Sequence, residues 1–282
     1  MIAKLNSLDR RFIYLTLFVI TALSLIFPIT LPTIPSTQVR AAFNAVEKAP
    51  VDKLCIINSQ WSASTRGENG PQARALLHHL MRRHIKFAIL GFDPQGPDNM
   101  NDIATELADK YGYKYGRDWI EWGYRNENSV NPFLKSLARS IPDAVKNDSK
   151  LTPVTDYEKL PIMKGIHDMK DVGLLIDVTP SNTAEAYVAF IQGKTNVPFV
   201  YFPTSVMAPE GYQYLDSGQM VGMVTGIKGA IEYEALVHEK KDATRQALAL
   251  SMTHLLIIIL IVLGNVGFIM EKKKRQTAGG GA

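Results

Sequence analysis

The chain has 282 residues, 46% of them hydrophobic, with one cysteine and a formal net charge of +4. The charge lies at the two ends, since residues 1–11 carry +2 and residues 271–282 carry +3, which leaves −1 between them. A near-neutral central segment lacks the basic surface that a nucleic-acid backbone requires, and a single cysteine, Cys55, excludes an intrachain disulfide.

Two apolar segments are long enough to cross a bilayer, which requires about 20 residues of helix. The first covers residues 12–34, with prolines towards its outer end, and the second covers residues 252–270, directly before a basic cluster. The first also has the basic start and apolar core of a signal peptide, with small residues at 41–45, so a cleaved leader is the alternative. Its apolar run exceeds the roughly 7–15 residues of such a leader, which favours a retained span.

The tails, residues 1–11 and 271–282, predict the orientation in the membrane. Both are short and basic, and such segments stay in the cytoplasm. We expect a two-pass protein of the plasma (inner) membrane, with the lipid bilayer as a partner. Both termini are then cytoplasmic, and residues 36–250 form one domain outside the cytoplasm.

Strand and helix patterns alternate between the two spans. Short, nearly continuous apolar runs predict buried strands over residues 53–59, 86–92, 119–124, 172–178 and 198–202. Helices are predicted over residues 38–48, 71–84, 99–111, 129–140 and 183–192, and residues 210–250 look helical with a break near 240–242. Residues 141–164 contain three prolines and are predicted to be irregular. Such alternation is typical of an α/β fold with a Rossmann-like parallel sheet covered by helices on both faces.

Several polar residues fall where a parallel sheet binds ligands, beyond the carboxyl ends of its strands. They are Ser59, Gln60, Asp93, Asp177 and Thr204. Asp177 directly follows an aliphatic run and is the most suggestive of them. The structural alternative is that this carboxylate caps the next helix or bonds a loop.

Familiar catalytic and nucleotide-binding motifs do not occur in the sequence, which has no G-x-G-x-x-G, Walker A, G-x-S-x-G or H-E-x-x-H pattern. The glycines of GIKG at residues 226–229 fall inside a predicted helix, without the strand and turn that a dinucleotide site needs. His78, His79 and His84 lack the spacing of a metal site on a helix and are predicted to belong to a solvated or amphipathic helix surface. We expect no cofactor, no metal and no catalytic residue.

Gly218, Gly222 and Gly226 are spaced by four residues within the predicted helix of residues 210–250. On a helix, this spacing forms a smooth strip where another backbone can approach closely. Packing within the domain and packing against a neighbouring subunit are both open. Gly264 and Gly267 offer a similar surface within the second span.

The chain also has aromatic residues that belong either to the core or to a surface for a partner. These residues are Trp61, Trp119, Trp122, Tyr212 and Tyr214.

Three sequence patterns carry a resemblance to a known group of proteins. They are DRRF at residues 9–12, LPIMKG at 160–165 and GIKGAIEYE at 226–234. With them, the chain resembles uncharacterised prokaryotic membrane proteins that have two transmembrane helices around an extracytoplasmic Rossmann-like domain. The resemblance covers most of the chain and implies this architecture, but no activity.

Anchoring at both ends, the glycine strip and the absence of catalytic motifs together predict a non-enzymatic membrane subunit. Its outer domain would bind other proteins within a homo-oligomer or with other membrane proteins. The alternative is an extracytoplasmic domain that binds or senses a small molecule in the strand-end crevice near Asp177. An enzyme of another type, built in the same crevice, is the third possibility.

Overall fold

The computed structural model describes residues 9–27, 33–239 and 242–279. The chain divides into two compact units. One is Thr33–Ala243, and the other contains the described parts of residues 1–32 and 244–282.

The strands are, in chain order, β1 (Leu54–Ser59), β2 (Phe87–Gly91), β3 (Trp119–Tyr124), β4 (Val172–Thr179), β5 (Phe199–Pro203) and β6 (Gly222–Met223). The helices are α1 (Arg10–Ile26), α2 (Thr37–Glu47), α3 (Arg66–Arg82), α4 (Gly96–Tyr111), α5 (Val130–Arg139), α6 (Ile141–Val145), α7 (Thr183–Tyr187), α8 (Gly193–Thr195), α9 (Ala208–Asp216), α10 (Gly226–Val237) and α11 (Asp242–Gly279). A π-helix, Val188–Gln192, lies between α7 and α8.

The strands form one parallel sheet in the order β3-β2-β1-β4-β5-β6. β1 pairs with β2 on one side and with β4 on the other, so the strand order reverses between β1 and β4. Every residue of β1 is buried, which explains why its first four residues are an apolar run; the last two, Asn58 and Ser59, are buried polar residues. The predicted α/β fold with a parallel sheet is confirmed, and each of the five predicted strands is present.

Two hydrophobic clusters cover the two faces of the sheet. Cys55 and Ile57 of β1 pack on the face of α2, α3, α4 and α10, whereas Leu54 and Ile56 pack on the face of α5 and α7. The alternation follows from the strand, in which successive side chains point to opposite faces. Burial raises the pKa of the Cys55 thiol, which makes this residue part of the core rather than a nucleophile.

Residues 210–250 do not form the long helix that we predicted. The chain runs through α9, then β6 at the edge of the sheet, then α10 and α11. Gly218 (φ 76°) and Gly226 (φ 55°) have left-handed backbones, and Gly222 lies in β6. The three glycines therefore share no helix face, and the predicted strip is wrong.

Two of the three histidines are buried, although all three were predicted to belong to a solvated or amphipathic helix surface. His84 is exposed, whereas His78 and His79 lie inside the domain. His79 Nε2 lies 2.9 Å from Glu47 Oε1, and its Nδ1 lies 2.7 Å from the Tyr233 hydroxyl. Burial lowers the pKa of His79 to about 4, although the hydrogen bond with Glu47 raises it. The neutral ring thus joins α2, α3 and α10.

The tryptophans and the tyrosines that were predicted to belong either to the core or to a partner surface differ in burial. Trp61, Trp119 and Trp122 are core residues, whereas Tyr212 is exposed and Tyr214 is partly buried. The tryptophans therefore form no surface for a partner.

The second unit contains α1 and α11. By length and composition, Ala243–Met270 within α11 can cross a membrane. The 17 residues of α1 are fewer than the about 20 that a span needs, and residues 28–32 of the predicted first span lie outside the described residues. The hydroxyl groups of Thr21 and Thr253 lie 3.0 Å apart, so α1 and α11 contact each other.

Candidate functional site

The five residues predicted to contact a ligand lie along the carboxyl edge of the sheet. Gln60 directly follows β1, and its amide donates to the carbonyl oxygen of Val178 at 2.9 Å. The other four lie at or near strand ends. Ser59 ends β1, Asp93 follows β2, Asp177 lies two residues before the end of β4, and Thr204 follows β5. This is the edge at which parallel sheets bind ligands. Each of the four is nevertheless engaged with a neighbouring part of the domain.

Asp177 is fully buried, and protein groups occupy its carboxylate. Asn58 Nδ2, from the paired residue of β1, donates to Oδ1 at 2.6 Å, and Thr183 Oγ1 donates to Oδ2 at 2.8 Å. Burial raises the pKa of Asp177 to about 7, although the two hydrogen bonds lower it. The side chain ties the start of α7 to the sheet, and it has no exposed surface for a ligand to contact.

The other predicted residues make similar local bonds. Ser59 Oγ donates to the carbonyl oxygen of Gly96 at 2.6 Å, which brings the start of α4 against the end of β1. Asp93 Oδ1 accepts from the amide of Gln95 at 2.8 Å, within the turn after β2. The amide of Thr204 donates to the carbonyl oxygen of Thr179 at 3.1 Å. These bonds order the loops of the carboxyl edge.

A cavity of about 330 Å³ opens at this edge, beyond β5 and β6. Its walls come from the start of α2, the loop after β5, α9, and the turn from β6 into α10. We call this space the edge cavity. Its charged and hydroxyl-bearing lining residues are Ser36, Ser205, Tyr212, Thr225, Lys228 and Glu232. Val39 and Met223 add apolar surface.

The turn from β6 into α10 supplies one wall of the edge cavity. Residues 226–229 form the first turn of α10, so their predicted helical structure is confirmed, but they follow the strand β6, which the sequence did not predict. A Cβ at Gly226 would lie 2.5 Å from Glu68 Oε2 and would overlap Ser205 Oγ. Glu68 Oε2 also accepts from the amide and the hydroxyl of Ser205, at 2.8 and 2.7 Å. The glycine leaves room for this contact between α3, the loop after β5 and α10.

One buried amide holds the ends of β5 and β6 in place. Gln72 Nε2, on α3, donates to the carbonyl oxygens of Pro203 and Val224, each at 2.8 Å. Asn69 Nδ2 donates to Gln72 Oε1 at 2.8 Å and orients the amide. Two chain segments that carry the cavity wall are thus fixed to the same helix.

Opposite charges face each other in the edge cavity. Glu232 on α10 is 4% exposed, and its Oε2 accepts from the amide and the hydroxyl of Ser36, at 2.9 and 2.7 Å. Its Oε1 lies 3.8 Å from Lys228 Nζ, and the Lys228 side chain is 87% exposed. The carboxylate is therefore fixed by the start of α2, whereas the ammonium group is exposed to solvent.

A second cavity, of about 410 Å³, lies between α5 and α7. It is lined by Asn131 and Asn182, by Thr183, and by Phe190 of the π-helix. Thr183 connects it to Asp177, so this is the space nearest to the crevice predicted from the sequence. Glu185 is the ionisable residue in its lining, and no opposite charge faces it among the lining residues that the structure describes.

Glu121 in β3 is a buried carboxyl that sequence reasoning missed. Ser149 Oγ donates to its Oε2 at 2.9 Å. Burial, together with the nearby acid Asp98, raises the pKa of Glu121 to about 7, although the bond from Ser149 lowers it. β3 is the edge strand opposite to β6, so Glu121 takes no part in the edge cavity.

Sequence reasoning also missed the charged pair of the edge cavity. A strand–turn–helix signal was available, because Gly222 and Gly226 bracket a short apolar run before the GIKG pattern. The prediction of helix over residues 210–250, with a break only near 240–242, left no place for a strand at Gly222. Among the residues that the structure describes, no group of three or more His, Cys, Asp or Glu side chains is arranged to hold a metal ion.

No protein-family model matches the chain, and neither a curated protein nor a solved structure matches it. The resemblance to two-span prokaryotic membrane proteins therefore stays a prediction. The function has to be inferred from the geometry of this chain alone.

Proposed function

We propose that this protein is a membrane-anchored domain that binds a small polar molecule in the edge cavity. The observation that supports this most is the position of the cavity, at the carboxyl ends of parallel strands, with a fixed carboxylate and an exposed ammonium group in its lining. The sequence had pointed to the neighbourhood of Asp177 on the same edge. Because Asp177 is fully engaged inside the protein, we move the site from β4 to the ends of β5 and β6.

Binding can be measured by thermal unfolding of the full-length protein in mild detergent, with a panel of small polar metabolites. A ligand at a hundred times its Kd stabilises the folded protein by about 2.7 kcal/mol. For a domain of this size, that raises Tm by roughly 5–11 °C.

Tyr212→Ala opens the lining of the edge cavity and should reduce this shift. Tyr157 is similarly exposed and does not line the cavity, so Tyr157→Ala is the matched control. If no compound in the panel raises Tm, or if both variants respond as the parent does, the proposed site is wrong.

We further propose the two-pass arrangement, with residues 12–34 and α11 as the spans and both termini in the cytoplasm. It is supported by the contact between Thr21 and Thr253, and by the basic residues of both tails. Single cysteines at Ser7→Cys, Val51→Cys and Ala278→Cys test it, because the native Cys55 is buried. A membrane-impermeant maleimide should label only Val51→Cys on intact cells. Labelling of either tail before permeabilisation would contradict the orientation.

Membership of a membrane assembly remains a separate proposal. One observation favours it: a Cβ at Gly264 of α11 would meet nothing within 4 Å, so this part of an apolar helix is open to a neighbouring helix. Gly267, one turn further, is buried. Gly264→Leu should reduce the native mass measured in mild detergent and leave the Tm of the domain unchanged. A native mass equal to that of the parent would remove this proposal.

A further inference from the structure

The carboxylate of Glu232 has one oxygen that the domain does not satisfy. Its Oε2 accepts two hydrogen bonds from Ser36, whereas its Oε1 has only Lys228 Nζ, at 3.8 Å, among the described residues. This distance is too long for a hydrogen bond. Glu232 is 96% buried and lines the edge cavity, so the oxygen faces a space that a ligand can enter. Within the domain this oxygen has no hydrogen-bond donor, and a ligand ammonium group would supply a charge-assisted one.

The same cavity also presents groups that favour an anion. Lys228 lies in the first turn of α10, and the N-cap residue Thr225 makes no side-chain bond to that turn. The amide groups at the start of a helix and a nearby ammonium group both attract a carboxylate. The start of α2 does not offer a second site for an anion in the same way, because the amide of Ser36 already donates to Glu232.

The charge balance excludes ligands of a single sign. A polyanion would face the Glu232 carboxylate, and Glu68, which does not line the cavity itself, adds a second negative charge next to the lining residue Ser205. A simple cation would face Lys228. A molecule with one positive and one negative group a few ångströms apart matches both.

We infer that the ligand of the edge cavity is a small zwitterion of the α-amino-acid type. Its ammonium group donates to Glu232 Oε1, and its carboxylate accepts from Lys228 and from the first turn of α10. Val39 and Met223 provide apolar surface for the rest of the molecule. The cavity, at about 330 Å³, has the size of a site for a small ligand. This inference rests on the proposed function and names its ligand class.

Calorimetric titration of the full-length protein in mild detergent tests the inference. The probes are the twenty free L-amino acids, followed by the N-acetyl and amide derivatives of each one that binds. Acetylation removes the positive charge, and amidation removes the negative charge. The N-acetyl derivative should bind roughly 100-fold more weakly than its parent amino acid, because the buried Glu232 carboxylate then loses its partner. The amide should bind roughly tenfold more weakly, because Lys228 is exposed.

Two variants assign the binding to the edge cavity. Lys228→Met should weaken the affinity for the amino acid roughly tenfold or more, since it removes the partner of the ligand carboxylate. Its side chain is exposed, so the fold should not change, and Lys164→Met is the control on a similarly exposed lysine outside the cavity. Glu232→Gln keeps an acceptor for Ser36 and removes the charge that faces the ligand ammonium group.

The outcomes separate the ligand class from the proposed function. If a neutral polar metabolite binds, is weakened by Tyr212→Ala, and no amino acid binds, the zwitterion is overturned and the binding function stands. If an amino acid binds but its derivatives bind equally well, the zwitterion is overturned as well. If Lys228→Met binds the amino acid as tightly as the parent, the site is not the edge cavity. If nothing in either panel binds, both proposals fail.

Discussion

Replacement of Gly222 by alanine tests the close contact between β6 and α2. A Cβ at this position would lie 2.5 Å from the Cα of Ala42 and 2.8 Å from the carbonyl carbon of Ala41, and it would overlap the Ala42 amide nitrogen. These are backbone atoms of α2, so no side-chain rotation can relieve the overlap. Carbon atoms in contact are about 3.5–4.0 Å apart, and α2 therefore has to move by about 1 Å.

A shift of this kind weakens the packing of α2 on the sheet. Val39 and Val46 are the buried valines of this helix. Overpacking of a dense core costs about 1–3 kcal/mol, and partial exposure of two valines adds about 1 kcal/mol. We expect a loss of about 3 kcal/mol, which for a domain of this size lowers Tm by roughly 6–12 °C.

Thermal unfolding followed by circular dichroism, on the full-length protein in mild detergent, measures this loss. Gly67→Ala is the control, because a Cβ there meets nothing within 4 Å and the residue is helical. It should unfold at or slightly above the Tm of the parent. A Tm for Gly222→Ala within about 2 °C of the parent would refute the packing argument.

Four further substitutions test buried polar groups by urea unfolding between pH 4 and pH 8. The pKa of Asp177 is raised by burial from 3.8 to about 7, so the parent should lose about 3 kcal/mol as the pH rises from 4 to 7, and Asp177→Asn should remove this loss. Glu121→Gln should act in the same direction, since burial raises the pKa of Glu121 from 4.5 to about 7. His79→Gln should act in the opposite direction: because burial lowers the pKa of His79 from 6.5 to about 4, the parent loses stability as the pH falls through this window. A variant that keeps the pH dependence of the parent would contradict the assignment of that group. Gln72→Leu leaves two buried carbonyl oxygens without their donor and should cost about 2 kcal/mol at every pH, so an unchanged unfolding midpoint would contradict its role.

The five longer strands could be predicted because each is a local apolar run. β4 is the clearest case: seven of its eight residues are buried, and its sequence shows this directly. β6 could not be found in this way, since it has two residues and one of them is Gly222. It exists as a strand because Val200 and Tyr201 of β5 pair with it.

The sequence pointed to the carboxyl edge of the sheet, where the edge cavity also opens, but to other residues of that edge. Asp177 was correctly predicted to lie near the carboxyl end of a buried strand. Its bond to Asn58 spans 119 residues, however, and could not be predicted from local sequence. That bond, together with the one from Thr183, turns a candidate ligand contact into an internal support.

By itself, the sequence determined the α/β alternation, the parallel strands and the apolar C-terminal helix, because periodicity and apolar runs act over a few residues. The tertiary structure alone decided that three evenly spaced glycines share no helix, and that the edge cavity has a charged lining. The physical reason is distance along the chain. Ser36 and Glu232 are 196 residues apart and meet only when α2 packs beside α10, so no local pattern records their contact.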